Sequence, residues 1–419
     1  MGRNLSLHLT FAFLVLAVIA GSACGGGGDG DEEEPASKFG LTTEVVAPAA
    51  NAEAIAFAPD GRLFFAEHWT GAIRVISADG QLSPDPWAIV PDLAANLYWG
   101  LTGLAIDPEF ESNRYVYALY TELVATEPSQ IGKPIVVRFT DQDGKGTDMG
   151  VIVGDLPEAD LAANNFNLNG SLYFGPDGFL YLTLGDYDRR LEIGPLGQQI
   201  PQDLGSPIGK ILRINQEDGS APEDNPFVDQ EGADPRIFSY GFRNHSDLAF
   251  QSDSGQVYAA DNNGRTCEEI NIIVIGADYG WPRTEQTPFD CAATPQQEPI
   301  HHLALEGMKP ADLDSVVGVT GIAFISGSVY PTLGDSLIVC ESRSQLMRRL
   351  ALETPALDRV TAEDTIERDC GEVATNEDGL IYFSTVYDIR RLVPPPESAP
   401  AESPPAESPR VESPPPSPP

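Results

Sequence analysis

Short apolar runs alternate along this chain with turns rich in proline, aspartate and glycine. Each unit of the pattern contains an apolar strand-like run, a turn of the Pro-Asp-Gly type, and a second run of aromatic or aliphatic residues. Six copies are found, some of them degenerate. They include residues 54–61, 103–108, 172–178, 248–255, 321–339 and 373–379.

The number and spacing of the copies predict the architecture. About 353 residues shared among six units leave about 59 residues for each, enough for a four-stranded sheet with long loops. Closing such units into a ring protects the edges of the sheets. We therefore predict an all-β fold, a six-bladed β-propeller. An array of β-sandwiches explains the repeats less well, because the Ig-type cysteine spacing is absent.

Composition supports this fold class and excludes one class of partner. The chain has 40 glycines and 36 prolines in 419 residues, an excess that favours turns over helices. Its 63 Asp and Glu outweigh 25 Lys and Arg, giving a formal charge of -38. Such a polyanion repels nucleic acid, so we predict no nucleic-acid partner and a substrate that is neutral or cationic.

The N-terminal segment predicts export. Its apolar run, residues 11–20, is too short to span a membrane and is followed by small residues up to Cys24. We predict a lipoprotein-type signal peptide over residues 1–23, with Cys24 lipidated and holding the protein at the membrane. An ordinary secretory signal cut near Ala23 is the alternative, and both place the protein outside the cytoplasm.

The rest of the chain divides by composition into three parts. Residues 24–39 are rich in glycine and acidic residues and predict a flexible linker. Residues 40–392 hold the repeats and predict the folded domain. Residues 393–419 are rich in Pro, Ser and Glu and predict an extended, disordered tail.

Export makes the remaining cysteines candidates for disulfides, because thiols pair in oxidising compartments. Four cysteines allow three pairings, and we favour the nearest-neighbour choice. It joins Cys267 to Cys291 and Cys340 to Cys370. We expect these cysteines to be structural, since the chain has no CxxC spacing typical of zinc sites.

Several strings in one order carry a more specific resemblance. They are AIAFAPDGRL (54–63), GLTGLAIDPEF (100–110), NRYVY (113–117), QDLGSPIGKILRIN (202–215), DNPF (224–227), YGFRN (240–244), EEIN (268–271) and YGWP (279–282). Together they resemble the glucose/sorbosone dehydrogenase family, whose soluble members use pyrroloquinoline quinone (PQQ) and calcium. The resemblance covers nearly all of residues 45–392.

The resemblance implies a chemistry and a set of site residues. A base takes the proton of a sugar hydroxyl while a hydride passes to the quinone, with calcium and arginine stabilising the arriving charge. It implies that Arg243 and Asn244 contact the cofactor. It also implies an oxygen-rich calcium site, a preference typical of this cation. The implied calcium ligands are Asn263, Gly264, Glu268, Glu269 and Tyr279.

The chain departs from the family pattern at the catalytic base. The family's proposed base is a histidine, and Asn167 occupies the aligned position. An asparagine side chain cannot accept that proton. His68 and His245 are the two histidines that could face the central pocket, although surface or loop positions are commoner for such residues.

Other departures affect the expected cofactor site. Relatives carry paired arginines before the last Asp-Gly turn, where this chain has residues 369–372, Asp-Cys-Gly-Glu. These acids would repel a quinone that carries three carboxylates. Arg343 stands near the place of another expected basic residue and is a candidate to compensate. Tyr98 and Trp99 precede Gly100 and could stack on a sugar ring or fill the mouth of the channel.

These observations leave two principal functions open. The first is an exported quinoprotein-type sugar dehydrogenase, with an aldose as substrate and PQQ and calcium as cofactors. The second is a propeller that keeps calcium but has lost redox chemistry and binds extracellular carbohydrate or protein. Asn167 and Asp369 favour the second function, and Arg243 with Asn244 favours the first.

The acidic turn supplies a test of the expected calcium site. Glu269→Gln should reduce the rise in melting temperature that calcium produces, because a carboxylate ligand is lost and the ion then stabilises the folded state less. Differential scanning calorimetry with and without calcium measures this effect. An unchanged calcium response would remove Glu269 from the metal site.

Overall fold

The computed structural model describes residues 38–161, 167, 168, 170–251, 253–282, 291 and 297–394. Within this part of the chain, 25 strands form six sheets. Helical elements include a short α-helix, α1 (Phe110–Asn113), and a 3-10 helix (Ile200–Gln202). The predicted all-β fold, a six-bladed β-propeller, is confirmed.

The first strand, β1 (Thr42–Pro48), belongs to the last blade. Blade 1 contains β2 (Ala52–Phe57), β3 (Leu63–Glu67), β4 (Ala72–Ile76) and β5 (Ala88–Ile89). Blade 2 contains β6 (Leu101–Ile106), β7 (Tyr115–Ala125), β8 (Ile131–Gln142), β9 (Lys145–Val153) and β10 (Ala159–Asp160). Blade 3 contains β11 (Leu172–Phe174), β12 (Leu180–Leu184), β13 (Lys210–Ile214) and β14 (Ile237–Tyr240).

The second half of the ring repeats this plan. Blade 4 contains β15 (His245–Gln251), β16 (Gln256–Asp261), β17 (Glu268–Ile273) and β18 (His301–Leu303). Blade 5 contains β19 (Val319–Ile325), β20 (Ser336–Glu341), β21 (Leu346–Leu352) and β22 (Val360–Arg368). Blade 6 contains β23 (Val373–Thr375), β24 (Ile381–Ser384), β25 (Asp388–Val393) and β1.

The predicted glycine turns form the hairpins between the first and second strands of the blades. Gly61 and Gly178 have φ angles of +83° and +82°, a backbone region that side chains other than glycine rarely adopt. The Gly61 N–H donates to the carbonyl of Ala58 at 2.9 Å and closes the turn. The turn chemistry therefore fixes where each hairpin reverses, and alternation along the strands fixes which side chains are buried.

Closure of the ring joins the two ends of the domain. Strand β1 pairs antiparallel with β25, from Thr42 opposite Val393 to Pro48 opposite Asp388. The earliest strand of the domain thus becomes the outer strand of the last blade. This pairing completes blade 6, and Ala47 of β1 packs with Ile55 and Phe65 of blade 1.

Hydrophobic side chains pack between each pair of neighbouring blades. Six clusters of buried side chains occupy the successive interfaces, including the interface between blade 6 and blade 1. Phe64 and Phe139 pack between blades 1 and 2, for example, and Phe383 packs between blades 5 and 6. Since burial of apolar surface is the dominant stabilising term, every blade depends on both of its neighbours.

The first strands of the blades surround the centre of the ring and carry a shared irregularity. In four of them the pairing register shifts by one residue near the start of the strand. A β-bulge of this kind leaves one residue unpaired and turns its side chain. The residues left unpaired are Glu53, Thr102, Ser246 and Thr320, and all four line the central cavity.

Both favoured disulfides are present. Cys267 is joined to Cys291, with their Cα atoms 5.3 Å apart, and Cys340 is joined to Cys370, with 5.1 Å between Cα atoms. The second bond links β20 of blade 5 to the residues that enter blade 6.

The terminal predictions fall largely outside this description. The signal segment, Cys24 and most of the linker lie outside the described residues, as does the tail beyond residue 394. The described residues include no helix with the length and apolar character needed to cross a membrane.

Candidate functional site

A cavity of about 960 Å³ lies at the centre of the ring. All six blades contribute to its wall, chiefly through the first residues of their first strands and the loops beside them. Such a convergence of loops around a concave site is typical of ligand-binding pockets. We refer to it below as the central cavity.

The structure places some of the predicted site residues on this wall and others away from it. The residues that line the central cavity are Asn167, Arg243, Asn244, Gly264, Glu268 and Arg343. The wall does not include Asn263, Glu269 or Tyr279. The predicted cofactor contacts are therefore brought together, whereas the predicted calcium ligands are divided.

Arg243 is held on the wall by its own blade. The carboxylate of Asp261 accepts the Arg243 N–H at 3.2 Å and the Asn244 N–H at 2.8 Å. One guanidinium nitrogen of Arg243, Nη1, donates to the carbonyl of Asn262 at 2.7 Å. Burial raises the pKa of Asp261 to about 6, and these hydrogen bonds and the charge of Arg243 oppose that shift.

Gly264 leaves the guanidinium of Arg243 open to the central cavity. Its φ angle is +95°, and a Cβ atom at this position would lie 3.2 Å from Nε and 3.3 Å from Cζ of Arg243. A larger residue would therefore crowd the guanidinium group. The pairing of Arg243 with this glycine produces a cationic face on the wall of the cavity.

Asn167 belongs to a buried network that sequence reasoning missed. Its Nδ2 donates to Asp186 Oδ1 at 3.0 Å, and the Trp281 indole N–H donates to Asp186 Oδ2 at 2.9 Å. Asp186 is fully buried, and its own N–H donates to the carbonyl of Arg243 at 2.7 Å. The position of Asp186 just beyond the second strand of blade 3, after Gly185, was the available signal in the sequence.

Three of the predicted calcium ligands, Glu268, Glu269 and Tyr279, have side chains in different surroundings. The carboxylate of Glu268 already accepts the N–H groups of Val317 and Gly318. Glu269 follows it in β17, so the two side chains leave opposite faces of the sheet. The hydroxyl of Tyr279 donates to the carbonyl of Ile272 at 2.7 Å. The described residues contain no group of three or more His, Cys, Asp or Glu arranged to hold a metal ion.

The two histidines considered as bases have different positions. His245 is fully buried in β15, where its Nε2 lies 2.8 Å from the carbonyl of Lys210 and its ring stacks on Phe242. Burial lowers the pKa of His245 to about 3, and His245 is not part of the cavity wall. The expected surface or loop position is therefore wrong for His245. His68 lines the cavity and is also buried.

Acidic residues outnumber basic ones on the cavity wall. The wall includes Glu53, Asp247, Glu268, Glu341, Asp369 and Glu372 against Arg243, Arg343 and Arg390. Burial raises the pKa of Glu268 and of Glu341 to about 7, and it also raises those of Asp247 and Glu372. A fraction of these carboxyl groups is consequently uncharged near neutral pH, which reduces the repulsion toward an anionic ligand.

Asp247 and Glu372 form a buried acidic pair around Gly321. The Ile322 N–H donates to Asp247 Oδ2 at 2.8 Å, and the Val373 N–H donates to Glu372 Oε1 at 2.9 Å. A Cβ atom on Gly321 would lie 2.9 Å from that Glu372 oxygen. Burial raises the pKa of both carboxyl groups, and the neighbouring Asp247 adds to this effect at Glu372.

Comparison with known proteins identifies the family of this chain. Residues 49–393 match the family described as Glucose / Sorbosone dehydrogenase. The chain belongs to the glucose/sorbosone dehydrogenase family. Proteins similar to this chain in sequence and in structure include sugar dehydrogenases.

Among relatives, the aldose sugar dehydrogenase YliI of Escherichia coli is 28% identical over 338 residues, covering 79% of this chain and 86% of the relative. Quinoprotein glucose dehydrogenase B of Acinetobacter calcoaceticus is 30% identical over 244 residues, covering 55% and 49%. A structure of a glucose dehydrogenase-like oxidoreductase from Thermus thermophilus has a TM-score of 0.66 at 30% identity, covering 84% of this chain and all of that one.

The buried acidic pair predicts a specific dependence of stability on pH. The pKa of Asp247 rises from 3.8 to about 7 on folding, so the folded state holds a proton that the unfolded state has lost. Stability should therefore fall as pH rises from about 4 through about 7. In Asp247→Asn, which has no carboxyl group to titrate here, the free energy of unfolding should fall by about 1–3 kcal/mol less than in the unmodified protein between about pH 5 and about pH 8.

Urea unfolding at several pH values measures the slope. Asp253→Asn is the matched control, because Asp253 is exposed on the first hairpin of the same blade. Equal pH slopes in Asp247→Asn and the unmodified protein would contradict the raised pKa assigned to Asp247.

Proposed function

We propose that this protein oxidises an aldose sugar in the central cavity, with PQQ as the acceptor of the hydride. Membership of a sugar dehydrogenase family supports the substrate class, and a relative named quinoprotein glucose dehydrogenase B supports the cofactor. The observation that carries the proposal is the open cationic face of Arg243 beside Gly264. The tertiary fold alone would not distinguish an enzyme from a binding module.

The residues of the Arg243 wall fit a quinone that carries carboxylates. The guanidinium of Arg243 and the side chain of Asn244 would hold the quinone oxygens, and exposed Arg343 at the rim would pair with a carboxylate. Bound PQQ supplies an electrophilic ortho-quinone that accepts a hydride. The acids of blade 6 fit less well, although burial and the neighbouring Asp247 raise the pKa of Glu372 and so favour its uncharged form.

Calcium has a weaker basis in these residues. Glu268 is on the cavity wall, yet its carboxylate is engaged by two backbone N–H groups, and Glu269 points to the other face of the sheet. The residues of this chain bind the sugar and the quinone, orient them, and limit the access of water.

Titration of the purified protein with PQQ tests the proposal. We expect binding that changes the quinone absorbance, followed by quinone reduction when an aldose such as glucose is added. Arg243→Gln should weaken PQQ binding by about tenfold or more, because a charge-assisted contact inside a cavity is lost. Arg359→Gln is the matched control, since Arg359 is an exposed arginine paired with Glu353 at 2.6 Å.

Each outcome of the titration has a defined meaning. Reduction of bound quinone in the unmodified protein, with weaker binding only in Arg243→Gln, supports the proposal. Absence of PQQ binding by folded protein would overturn it. Sugar binding without any PQQ binding would instead indicate the carbohydrate-binding module that Asn167 and Asp369 favoured.

The Asn167–Asp186 contact generates a gain-of-function prediction. Asn167→His should increase the rate of aldose oxidation, because Asp186 is positioned to accept an imidazole N–H and orient the ring as a base. Steady-state kinetics measures the change. The double variant Asn167→His, Asp186→Asn should lose most of the gain, and an equal rate in both variants would contradict an orienting role for Asp186.

A further inference from the structure

The proposed oxidation releases a proton, and the amide of Asn167 cannot accept it. We infer that His68 accepts this proton at Nδ1, from a sugar bound where blades 6, 1 and 2 meet at the mouth of the central cavity. The inference rests on the proposed function and adds to it the position of the sugar and the identity of the base.

A backbone carbonyl fixes the tautomer of His68. Its Nε2 lies 2.7 Å from the carbonyl oxygen of Asn96, and that oxygen can only accept a hydrogen bond. Nε2 therefore carries the hydrogen, and Nδ1 of the neutral ring carries the lone pair. Within the described residues Nδ1 has no hydrogen-bond partner, although His68 is only 3% exposed. A buried basic nitrogen without a partner on a cavity wall is a candidate proton acceptor.

The surroundings of His68 hold the ring in this orientation. A Cβ atom on Gly100 would lie 2.8 Å from Cε1 and from Nε2 of the imidazole, so the glycine leaves the space that the ring fills. The backbone of His68 is fixed as well, since the Leu101 N–H donates to its carbonyl at 3.2 Å. A ring held by packing and by one hydrogen bond stays aimed in one direction, as a general base requires.

Glu53 is placed to stabilise the charge that proton transfer creates. Its Oε2 lies 3.9 Å from His68 Nδ1, and Glu53 is the bulged residue of β2 whose side chain lines the cavity. The carboxylate is too far away to occupy the lone pair of Nδ1, and it is near enough to attract the positive charge that the ring gains during the transfer. Trp69 contributes no charge, and its ring lies edge-on to His68 with 5.1 Å between centroids.

An apolar rim beside His68 identifies where the sugar would lie. Its members are large, exposed, and part of the cavity wall: Trp69, Leu97, Tyr98, Val386 and Tyr387. Contiguous exposed apolar side chains at a cavity mouth indicate a binding surface. Aromatic faces interleaved with polar groups such as Asn51 and Glu53 suit the apolar faces and hydroxyls of a neutral sugar ring.

Hydrogen bonds join the loops of the rim into one edge. The Ala49 N–H donates to the Tyr387 carbonyl at 2.9 Å, and the Asn51 N–H donates to the Val386 carbonyl at 3.2 Å. The His68 N–H donates to the Asn51 carbonyl at 3.3 Å, and His68 Nε2–H donates to the Asn96 carbonyl at 2.7 Å. The rim residues are thus held together around His68, and their exposed side chains do not depend on a mobile loop.

The transfer at this site balances as a two-electron oxidation. The O–H bond of the sugar breaks and its proton goes to His68 Nδ1. The C–H bond on the same carbon also breaks, and bound PQQ would supply the acceptor for this hydrogen and both of its electrons. A carbonyl group forms on the sugar carbon. Return of the proton to solvent restores the neutral ring.

Substitution of His68 by glutamine provides the kinetic test. A glutamine amide can still donate to the Asn96 carbonyl but has no basic nitrogen, so folding should be kept while proton transfer is lost. We expect kcat for glucose oxidation by the PQQ-loaded protein to fall about 100-fold or more, with little change in KM.

A matched histidine and a rescue variant control this test. His301→Gln should keep wild-type activity, because His301 lies on the outer strand of blade 4, away from the cavity wall, and pairs with Glu363 of blade 5. Adding Asn167→His to His68→Gln should restore part of the rate through Asp186. A His68→Gln protein that oxidises glucose at the wild-type rate would overturn the inference while leaving the proposed function in place.

A binding measurement separates failure of the inference from failure of the proposed function. Imidazole resonances recorded by NMR without cofactor, and assigned with the His68→Gln variant, should shift for His68 when glucose is added. The His301 resonances should stay unchanged. Shifts at His68 in a protein that oxidises no aldose would support the sugar position and overturn the proposed oxidation. Absence of any shift at His68 during glucose binding or turnover would overturn the inference.

Discussion

Closure of the ring is the constraint on which the other features depend. Each blade buries its hydrophobic side chains only against the two neighbouring blades, so an open ring would expose two apolar faces. The pairing of β1 with β25 prevents this by completing blade 6 with the earliest strand of the domain. The central cavity exists because six first strands are held at a common distance from the centre, and no single blade could form it.

The same polar groups that line the cavity also hold blades together. Glu268 of blade 4 accepts the N–H groups of Val317 and Gly318, which lead into blade 5, and Asp247 of blade 4 accepts the Ile322 N–H within blade 5. Buried N–H groups at the start of these strands would otherwise be unsatisfied, at a cost of about 1–3 kcal/mol each. The wall is acidic in part because these carboxylates accept hydrogen bonds from backbone N–H groups. A wall that served only to bind an anionic ligand would not need them.

The fold was predictable from the sequence, and the site only in part. Glycine turns such as Gly61 and alternating strands are local signals, so the six blades and their hairpins followed from short segments. Arg243 and Asn244 followed from a resemblance. Asp186 did not, because its contact with Asn167 joins residues whose proximity depends on the packing of loops.

The adjacent acids Glu268 and Glu269 show a different limit of sequence analysis. The sequence predicts an acidic turn here, whereas the two residues begin strand β17 and their side chains alternate across the sheet. One further consequence of the architecture concerns its ends. Thr42 and Val393 are register partners, so the chain enters and leaves the ring at one place on the outer edge of blade 6. A short covalent link between these two residues would make the ring continuous, and the chain could then be opened between two other blades. The order of the blades along the gene is therefore one of several circular permutations compatible with the same cavity.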